Sequence, residues 1–137
     1  MNHLEPHPFI RYLQKLAEGQ ERSALASLRR GLGQPPGTVA DMYRYVEPYL
    51  GGDARYKESA FYLVAALFAL HPKSTDKGNM GDHMAATRTD SGADALERRF
   101  TALLAAHPND LPDYLRQAVS FLKSKEVSVN WNQLLWD

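Results

Sequence analysis

The spacing of apolar residues predicts an all-α fold, a compact bundle of about six to seven helices. Apolar side chains recur every three to four positions along most of the chain, and the alternation with period two that marks half-buried strands is nearly absent. Turn signals such as Pro35-Pro36-Gly37 and Gly51-Gly52 separate the apolar stripes. The chain has 137 residues, 44% of them apolar, which predicts one domain over residues 1–137 with its own core.

The first third of the sequence predicts three helices. Two prolines stand near the start of the first helix, and Pro35-Pro36-Gly37 ends the second. Thr38 is a candidate cap for the third helix, because Asp41 follows at the capping-box spacing, and Pro48 should end or kink it. The three apolar faces are, in order, Phe9, Leu13, Leu16 and Ala17, then Leu25, Leu28 and Leu32, then Val39, Met42, Tyr43, Val46, Tyr49 and Leu50.

A fourth helix, near residues 54–70, is predicted to run through the middle of the fold. Asp53 can cap this helix, and its first turn is polar. From Phe61 to Phe68 the segment is apolar on every side, and a helix with that pattern is buried all round. The sequence therefore predicts that this helix is the centre of the core.

Residues 71–90 form one long polar break between the N-terminal and C-terminal helical halves. A long polar loop inside a compact domain is usually functional or disordered. The segment from Met80 to Arg88 is expected to form a short helix within it. The loop also carries Lys73 and Lys77, and it is long enough to wrap around a nucleic-acid strand.

Three further helices are predicted after the loop. A fifth helix begins near Asp94, a sixth is capped by Asp110, and Val127-Ser128-Val129 is an extended link to a last helix capped by Asn130. The inward positions of the fifth and sixth are Leu96, Phe100, Leu103 and Leu104, then Leu111, Tyr114, Leu115, Ala118, Val119 and Leu122; the last helix carries Trp131, Leu134 and Leu135.

The residue patterns that most enzymes need are absent from this sequence. The chain has no cysteine, which excludes disulfides, thiolate catalysis and cysteine-bound zinc. Its five histidines lack a metal-site spacing, and no Gly-x-Ser-x-Gly elbow occurs. No signal peptide is apparent, and the longest nearly apolar run is too short to span a bilayer. We therefore expect a cytoplasmic protein that is not an enzyme, with no cofactor, no metal and no membrane contact.

Two arginine doublets, Arg29-Arg30 and Arg98-Arg99, lie at the edges of leucine-spaced helices. Sixteen basic and sixteen acidic residues cancel, so any nucleic-acid binding must come from local clusters of charge. Adjacent residues of a helix point about 100° apart, so at least one arginine of each doublet borders solvent. The doublets fit two interpretations. They contact phosphates, for which the planar guanidinium is suited, or they form solvated faces and ion pairs with acids such as Glu21, Asp94 or Glu97.

The chain also resembles a known family over most of its length except residues 71–90. Several segments are similar to signatures of the CasB family, the small subunit of the type I-E CRISPR surveillance complex Cascade. In chain order they are Ala24-Leu25-Ala26-Ser27-Leu28-Arg29-Arg30-Gly31, Tyr43-Arg44-Tyr45-Val46-Glu47-Pro48-Tyr49, Ser91-Gly92 with Glu97-Arg98-Arg99-Phe100 and Leu103-Leu104, Leu115 to Leu122, and Val127-Ser128-Val129-Asn130-Trp131 with Leu134-Leu135.

This resemblance implies an all-helical, non-catalytic subunit that acts in antiviral defence. Its implied partners are the other Cascade subunits, a second copy of itself, the CRISPR RNA–target DNA hybrid and the displaced single-stranded DNA of the R-loop. Sequence-nonspecific contacts would stabilise that R-loop. Positions at which the family presents positive charge match Arg29, Arg30, Arg55, Arg98 and Arg99, with Lys57 a looser match; Lys73, Lys77 and Arg88 are added from charge and loop context alone.

The family pattern usually continues past the tryptophan segment into a further helix, whereas this sequence stops at Trp136-Asp137. Either the sequence is a portion of a longer chain or that helix is naturally missing. An alternative function is a helical protein–protein interaction scaffold without direct nucleic-acid contact. A small helical hydrolase would require a buried acid or histidine cluster, and the sequence pattern indicates none.

Overall fold

The all-α prediction is confirmed. The computed structural model describes residues 7–51, 57–87, 98, 101–107 and 109–136. Within them, the only β pairing is one isolated parallel bridge between Ser74 and Val129. The helices are α1 (Pro8–Glu18), α2 (Arg22–Arg29), α3 (Tyr43–Val46), α4 (Glu58–Leu70), α5 (Met80–Ala85), α6 (Leu111–Ser124) and α7 (Trp131–Trp136), and residues 101–105 are also helical.

Helix α4 is the centre of the core, as its sequence predicts. Eight of its 13 residues are buried, and α2, α3, α6 and α7 all contact it. The helix can be surrounded because its middle has no charged side chain, and the buried hydroxyl of Tyr62 donates to Oε1 of Glu47 at 2.9 Å. Gly31 lets the chain after α2 approach closely, since a Cβ there would lie 2.5 Å from the sulfur of Met42 and 3.3 Å from the Cβ of Ala66.

Aromatic rings pack against both ends of α4. Phe9 of α1 stacks on Phe61 with ring centroids 5.0 Å apart. At the other end, Trp131 of α7 meets Phe68 edge to face at 5.7 Å. Both contacts lie in the separations at which aromatic pairs attract beyond their burial. The two terminal helices are thereby fixed to one central element.

The predicted third helix is not continuous. A 3-10 turn over Ala40–Met42 leads into α3, and a second 3-10 turn covers Glu47–Tyr49. Proline at position 48 has no amide hydrogen to donate, which explains why α3 stops at the preceding residues. Thr38 does not cap the segment, because its hydroxyl donates instead to the carbonyl of Pro35 at 2.6 Å.

Some positions that the sequence pattern assigned to the core are exposed. Leu104 is 72% exposed and Tyr114 is 36% exposed. Tyr114 lies one residue before buried Leu115, and the rotation of about 100° between neighbours carries it to the edge of the buried face. Asp110 makes no side-chain capping bond, and Leu32 lies beyond the end of α2, where it is only half-buried. The predicted cap Asp53, the start of the fifth helix at Asp94, and its inward positions Leu96 and Phe100 lie outside the described residues.

Candidate nucleic-acid interface

The polar segment after α4 is hydrogen-bonded along the extended link that precedes α7. The amide of Val129 donates to the carbonyl of Lys73 at 3.1 Å, and the amide of Thr75 donates to the carbonyl of Val129 at 3.0 Å. The indole of buried Trp131 donates to the same Lys73 carbonyl at 3.0 Å. Residues 71–79, which we call the anchored loop, are therefore held by a second piece of chain more than 50 residues away in sequence.

Asn130 joins the anchored loop to two helices. Its side-chain amide donates to the carbonyl of Gly78 at 3.0 Å. Its side-chain oxygen accepts from the amide of Gln133 at 3.1 Å, which caps α7 as the sequence predicts. Its own backbone amide donates to Nε2 of His83, on α5, at 2.9 Å.

Two buried histidines, His71 and His83, form hydrogen bonds to the same link, one as a donor and the other as an acceptor. Nε2 of His71 lies 2.6 Å from the carbonyl oxygen of Val127, and a carbonyl only accepts, so His71 donates. Nε2 of His83 accepts from Asn130, so neutral His83 carries its proton on Nδ1. Burial lowers the pKa of His83, and the nearby carboxylate of Asp82 opposes that shift in part.

The two lysines of the anchored loop have exposed side chains on a fixed backbone. Lys73 is held through its carbonyl, and the amide of Lys77 donates to the hydroxyl of Thr75 at 3.3 Å. Gly78, with φ of 80°, makes the left-handed turn that leads into α5. Asp76 is exposed between the two lysines and offsets one charge, so the loop presents a net positive charge on an ordered backbone.

The first arginine doublet is exposed, and both guanidinium groups have protein partners. Arg29 donates to the carbonyl of Ala69 at 3.3 Å, and Arg30 forms an ion pair with Asp41. This partner is not one of the acids that the sequence suggested. Ala69 is in the last turn of α4, two residues before the anchored loop begins at His71. Arg29 therefore lies at the same end of α4 from which the loop departs.

Lys57 lies at the opposite end of α4. It is the residue before the helix, and its ammonium donates to the carbonyl of Leu135 at 3.1 Å. At 1.5 Å per residue the helix is about 20 Å long, so Lys57 and Arg29 do not form one local cluster. Arg98 is exposed. The remaining candidates, Arg55, Arg88 and Arg99, lie outside the described residues.

Arg116 is a cation that the sequence pattern did not single out. It is exposed on α6, and its guanidinium approaches the turn after α2 so closely that a Cβ on Gly33 would lie 3.1 Å from Nη1. Arg116 and Lys57 both line a cleft of about 990 Å³ beside α4. No sequence signal could have found this pair, because 58 residues separate them. The apolar wall of the cleft includes Leu63, Leu67, Leu103, Leu104, Leu115 and Leu135.

Metal-binding clusters and membrane-spanning helices are absent from the part of the chain that the structure describes. No group of three or more histidine, aspartate or glutamate side chains in it is arranged to hold a metal ion. None of its helices combines the length and apolar character needed to cross a bilayer.

Comparison with known proteins identifies relatives along most of the chain. The family model for CRISPR-associated protein Cse2 matches residues 24–137. A CRISPR-associated protein Cse2 from Thermus thermophilus is 37% identical over 140 residues, which cover 94% of this chain and 76% of that protein.

Two solved structures share the fold. A crystal structure of CasB from Thermus thermophilus matches with a TM-score of 0.76 and 32% identity, over 93% of this chain and 83% of that one. A chain of a CRISPR RNA-guided surveillance complex matches with a TM-score of 0.75 and 28% identity, over 93% of this chain and 81% of that one. The resemblance seen in the sequence is thereby confirmed: this chain belongs to the CRISPR-associated Cse2 family, also called CasB.

Proposed function

We propose that this chain is a non-catalytic, cytoplasmic subunit of a CRISPR RNA-guided surveillance complex, Cascade, in which it contacts nucleic-acid backbones without reading their sequence. Its partners are the other subunits, a second copy of itself, the guide RNA–target DNA hybrid and the displaced DNA strand. The similarity to a chain of such a complex supports the assembly. The observation that carries the nucleic-acid role is the anchored loop, where Lys73 and Lys77 are exposed on an ordered backbone.

An ordered loop suits this role because little conformational entropy remains to be lost on binding. Immobilising a flexible side chain at an interface costs about 0.5–1.5 kcal/mol, and ordering the backbone would add to that cost. The bonds to Val129, Asn130 and Trp131 already order the backbone of the loop. On binding to phosphates, only the two lysine side chains would still lose conformational entropy.

The neutral charge of the whole chain is compatible with this function. R-loop formation exchanges one duplex for another of similar stability, so modest backbone contacts can shift the balance. A subunit already docked in a large assembly meets the displaced strand at a high effective concentration and needs little affinity of its own. Contacts to phosphates carry no sequence information, which suits an assembly whose specificity resides in its guide.

The proposal is tested by removing the two charges of the loop within the assembled complex. In Lys73→Gln/Lys77→Gln we expect weaker target binding and a shallower dependence on salt. If both lysines sit on phosphates, the slope of log affinity against log salt should fall in magnitude by about 1.4 to 1.8. The measurement is target-DNA binding by fluorescence anisotropy across a salt series.

A matched control removes two charges elsewhere. Lys15→Gln/Lys123→Gln alters exposed lysines on α1 and α6 and leaves the loop unchanged. The control should keep the wild-type slope. Equal slopes for the loop variant and the wild type would refute the nucleic-acid role of the loop. The same measurement on Arg98→Ala tests Arg98 of the second doublet, which is exposed.

The cleft beside α4 favours the alternative function, a helical scaffold that binds proteins only. Leu104 is 72% exposed and is continuous with the other leucines of the cleft wall, and a contiguous exposed apolar patch indicates a protein-interaction site. Leu104→Ser separates the two functions. If the chain is a scaffold only, Leu104→Ser should reduce its incorporation into the complex. In that case Lys73→Gln/Lys77→Gln should bind target DNA like the wild type.

A further inference from the structure

We propose that His83 and Asn130 position the anchored loop, and that protonation of His83 releases it. In this arrangement, which we call the latch, neutral His83 accepts a hydrogen bond from the backbone amide of Asn130. The side chain of Asn130 in turn donates to the carbonyl of Gly78 in the loop. The link to nucleic acid rests on the proposed function, whereas the latch itself is a property of this chain alone.

The His83 end of the latch is buried, whereas the bond from Asn130 to Gly78 is exposed. The His83 side chain is only 6% exposed, so water offers little compensation for a lost bond. A buried amide left without an acceptor costs about 1–3 kcal/mol. Protonated His83 has an N–H at both ring nitrogens, so Nε2 would point a donor at the donor of Asn130. The two groups must then separate, and the turn around Gly78 and the link before α7 separate with them.

His71 provides an internal contrast. It also bonds to the link, but its Nε2 donates to the carbonyl of Val127. That donor is present in both protonation states, so protonation leaves this bond in place. The pH sensitivity of the contact between the loop and the link therefore resides in His83. Protonation of His83 should free the Gly78 end of the loop and leave the His71 end attached.

The charges around His83 do not remove this sensitivity. Asp82, next to it on α5, is the charged group that acts on it. The link and α7, from Val127 to Trp136, contain no charged side chain. Among the described residues, the charged side chains of the loop and of α6 with the turn after it are exposed; they are Lys73, Asp76, Lys77, Asp113, Arg116, Lys123, Lys125 and Glu126.

The direction of the pH effect follows from burial, which lowers the pKa of folded His83 below its ordinary value of 6.5. Above 6.5 the histidine is neutral in both the folded and the unfolded chain, and the latch is closed. As the pH falls below 6.5, the unfolded chain binds the proton more readily. The stabilisation by the latch is then lost as the pH passes through the folded pKa.

Trp131 reports on the latch because it directly follows Asn130, whose backbone amide loses its acceptor when His83 is protonated. The test uses the Trp136→Phe chain, in which Trp131 is the single tryptophan. Its fluorescence is followed from pH 7.5 to 4.5 with His83 present and with His83→Gln. The glutamine amide oxygen can accept from Asn130 and does not titrate, so this variant keeps the bond and loses the switch.

We expect the chain with His83 to show a change in Trp131 emission below pH 6.5, and the His83→Gln chain to show none in that range. An identical transition in both would overturn the latch, and would point to His7, whose pKa is also lowered by burial and whose Nδ1 accepts from the amide of Phe9. The companion variant His7→Asn keeps a capping acceptor and should leave the transition in place.

A second readout ties the latch to function. Within the assembled complex, target-DNA affinity should fall with pH in the wild type and change less in His83→Gln. His83→Ala at pH 7.5 should lower affinity as much as Lys73→Gln/Lys77→Gln, with circular dichroism confirming that the variant stays helical. A fluorescence transition without any affinity change would keep the latch and refute the nucleic-acid role of the loop. Absence of the fluorescence transition would refute the latch, whereas the salt dependence of Lys73→Gln/Lys77→Gln decides separately on the nucleic-acid role of the loop.

Discussion

Replacing Asn130 with alanine should lower the free energy of unfolding by about 2 kcal/mol. The substitution removes the cap of α7, a loss of about 1 kcal/mol. It also removes the bond from the side-chain amide to the carbonyl of Gly78, which contributes about 1 kcal/mol. Alanine keeps a backbone amide, so the bond to His83 is retained. The expected loss therefore comes from two side-chain bonds to separate parts of the fold.

The measurement is urea unfolding followed by circular dichroism at pH 7.5, where the latch is closed. The midpoint should move to lower urea with an unchanged slope, because the surface exposed on unfolding stays nearly the same. The thermal midpoint should fall by about 5 to 8 °C.

Asn130→Asp is the matched variant for this measurement. Its carboxylate keeps the oxygen that caps Gln133, loses the donor to Gly78 and turns an acceptor toward that carbonyl, so we expect at least half of the loss seen with alanine. An alanine variant within about 0.5 kcal/mol of the wild type would show that the loop and α7 are held by other contacts, and the reasoning would fail.

Two further substitutions, one of them with a matched control, test the local geometry at the surface by the same unfolding measurement. Arg30→Ala should change the free energy of unfolding by less than about 0.5 kcal/mol, because the ion pair with Asp41 is exposed on both sides; a loss above about 1.5 kcal/mol would contradict this. Gly33→Ala should cost about 1 to 2 kcal/mol, since φ is 78° and the new methyl group would press on Arg116. Gly51→Ala, which meets no atom within 4 Å, should be nearly neutral, and equal losses at both glycines would refute the argument.

The central helix was predictable because its signal is local and redundant. Every residue from Phe61 to Phe68 is apolar, so no choice of helix face could place a charged group in the core. The cap at Asn130 was equally predictable, because asparagine directly before a short apolar helix is favoured as its N-cap. Such features depend on neighbours within one or two turns of helix, which the sequence itself supplies.

The positions at the margins were less predictable. Tyr114 and Leu104 fit the apolar stripes of their helical segments, yet both side chains are exposed. Whether a position at the edge of a stripe is buried depends on the direction of the neighbouring elements. The third helix was misjudged for a related reason. The periodicity of Val39 to Leu50 persists through two 3-10 turns, whose spacing of three residues per turn resembles that of an α-helix over a short stretch.

The candidate site residues can be divided in the same way. The sequence pointed to the exposed cations Lys73, Lys77 and Arg98 because charge in a polar context is visible in one dimension. It could not assign Arg30 to Asp41, or place Arg116 and Lys57 on the same cleft, because both arrangements depend on how separate segments pack together.

By itself, the sequence determined the helical class, the buried central helix and the family to which the chain belongs. Helix periodicity, caps and family signatures are all properties of short contiguous segments, so they survive in a single sequence. Only the tertiary structure decided that the long polar loop is anchored. It showed that His83 and Asn130, which are 47 positions apart in the sequence, form the hydrogen bond that holds it. A hydrogen bond across that separation forms because α4 to α7 pack into one core, and no local pattern encodes where two distant backbones will meet.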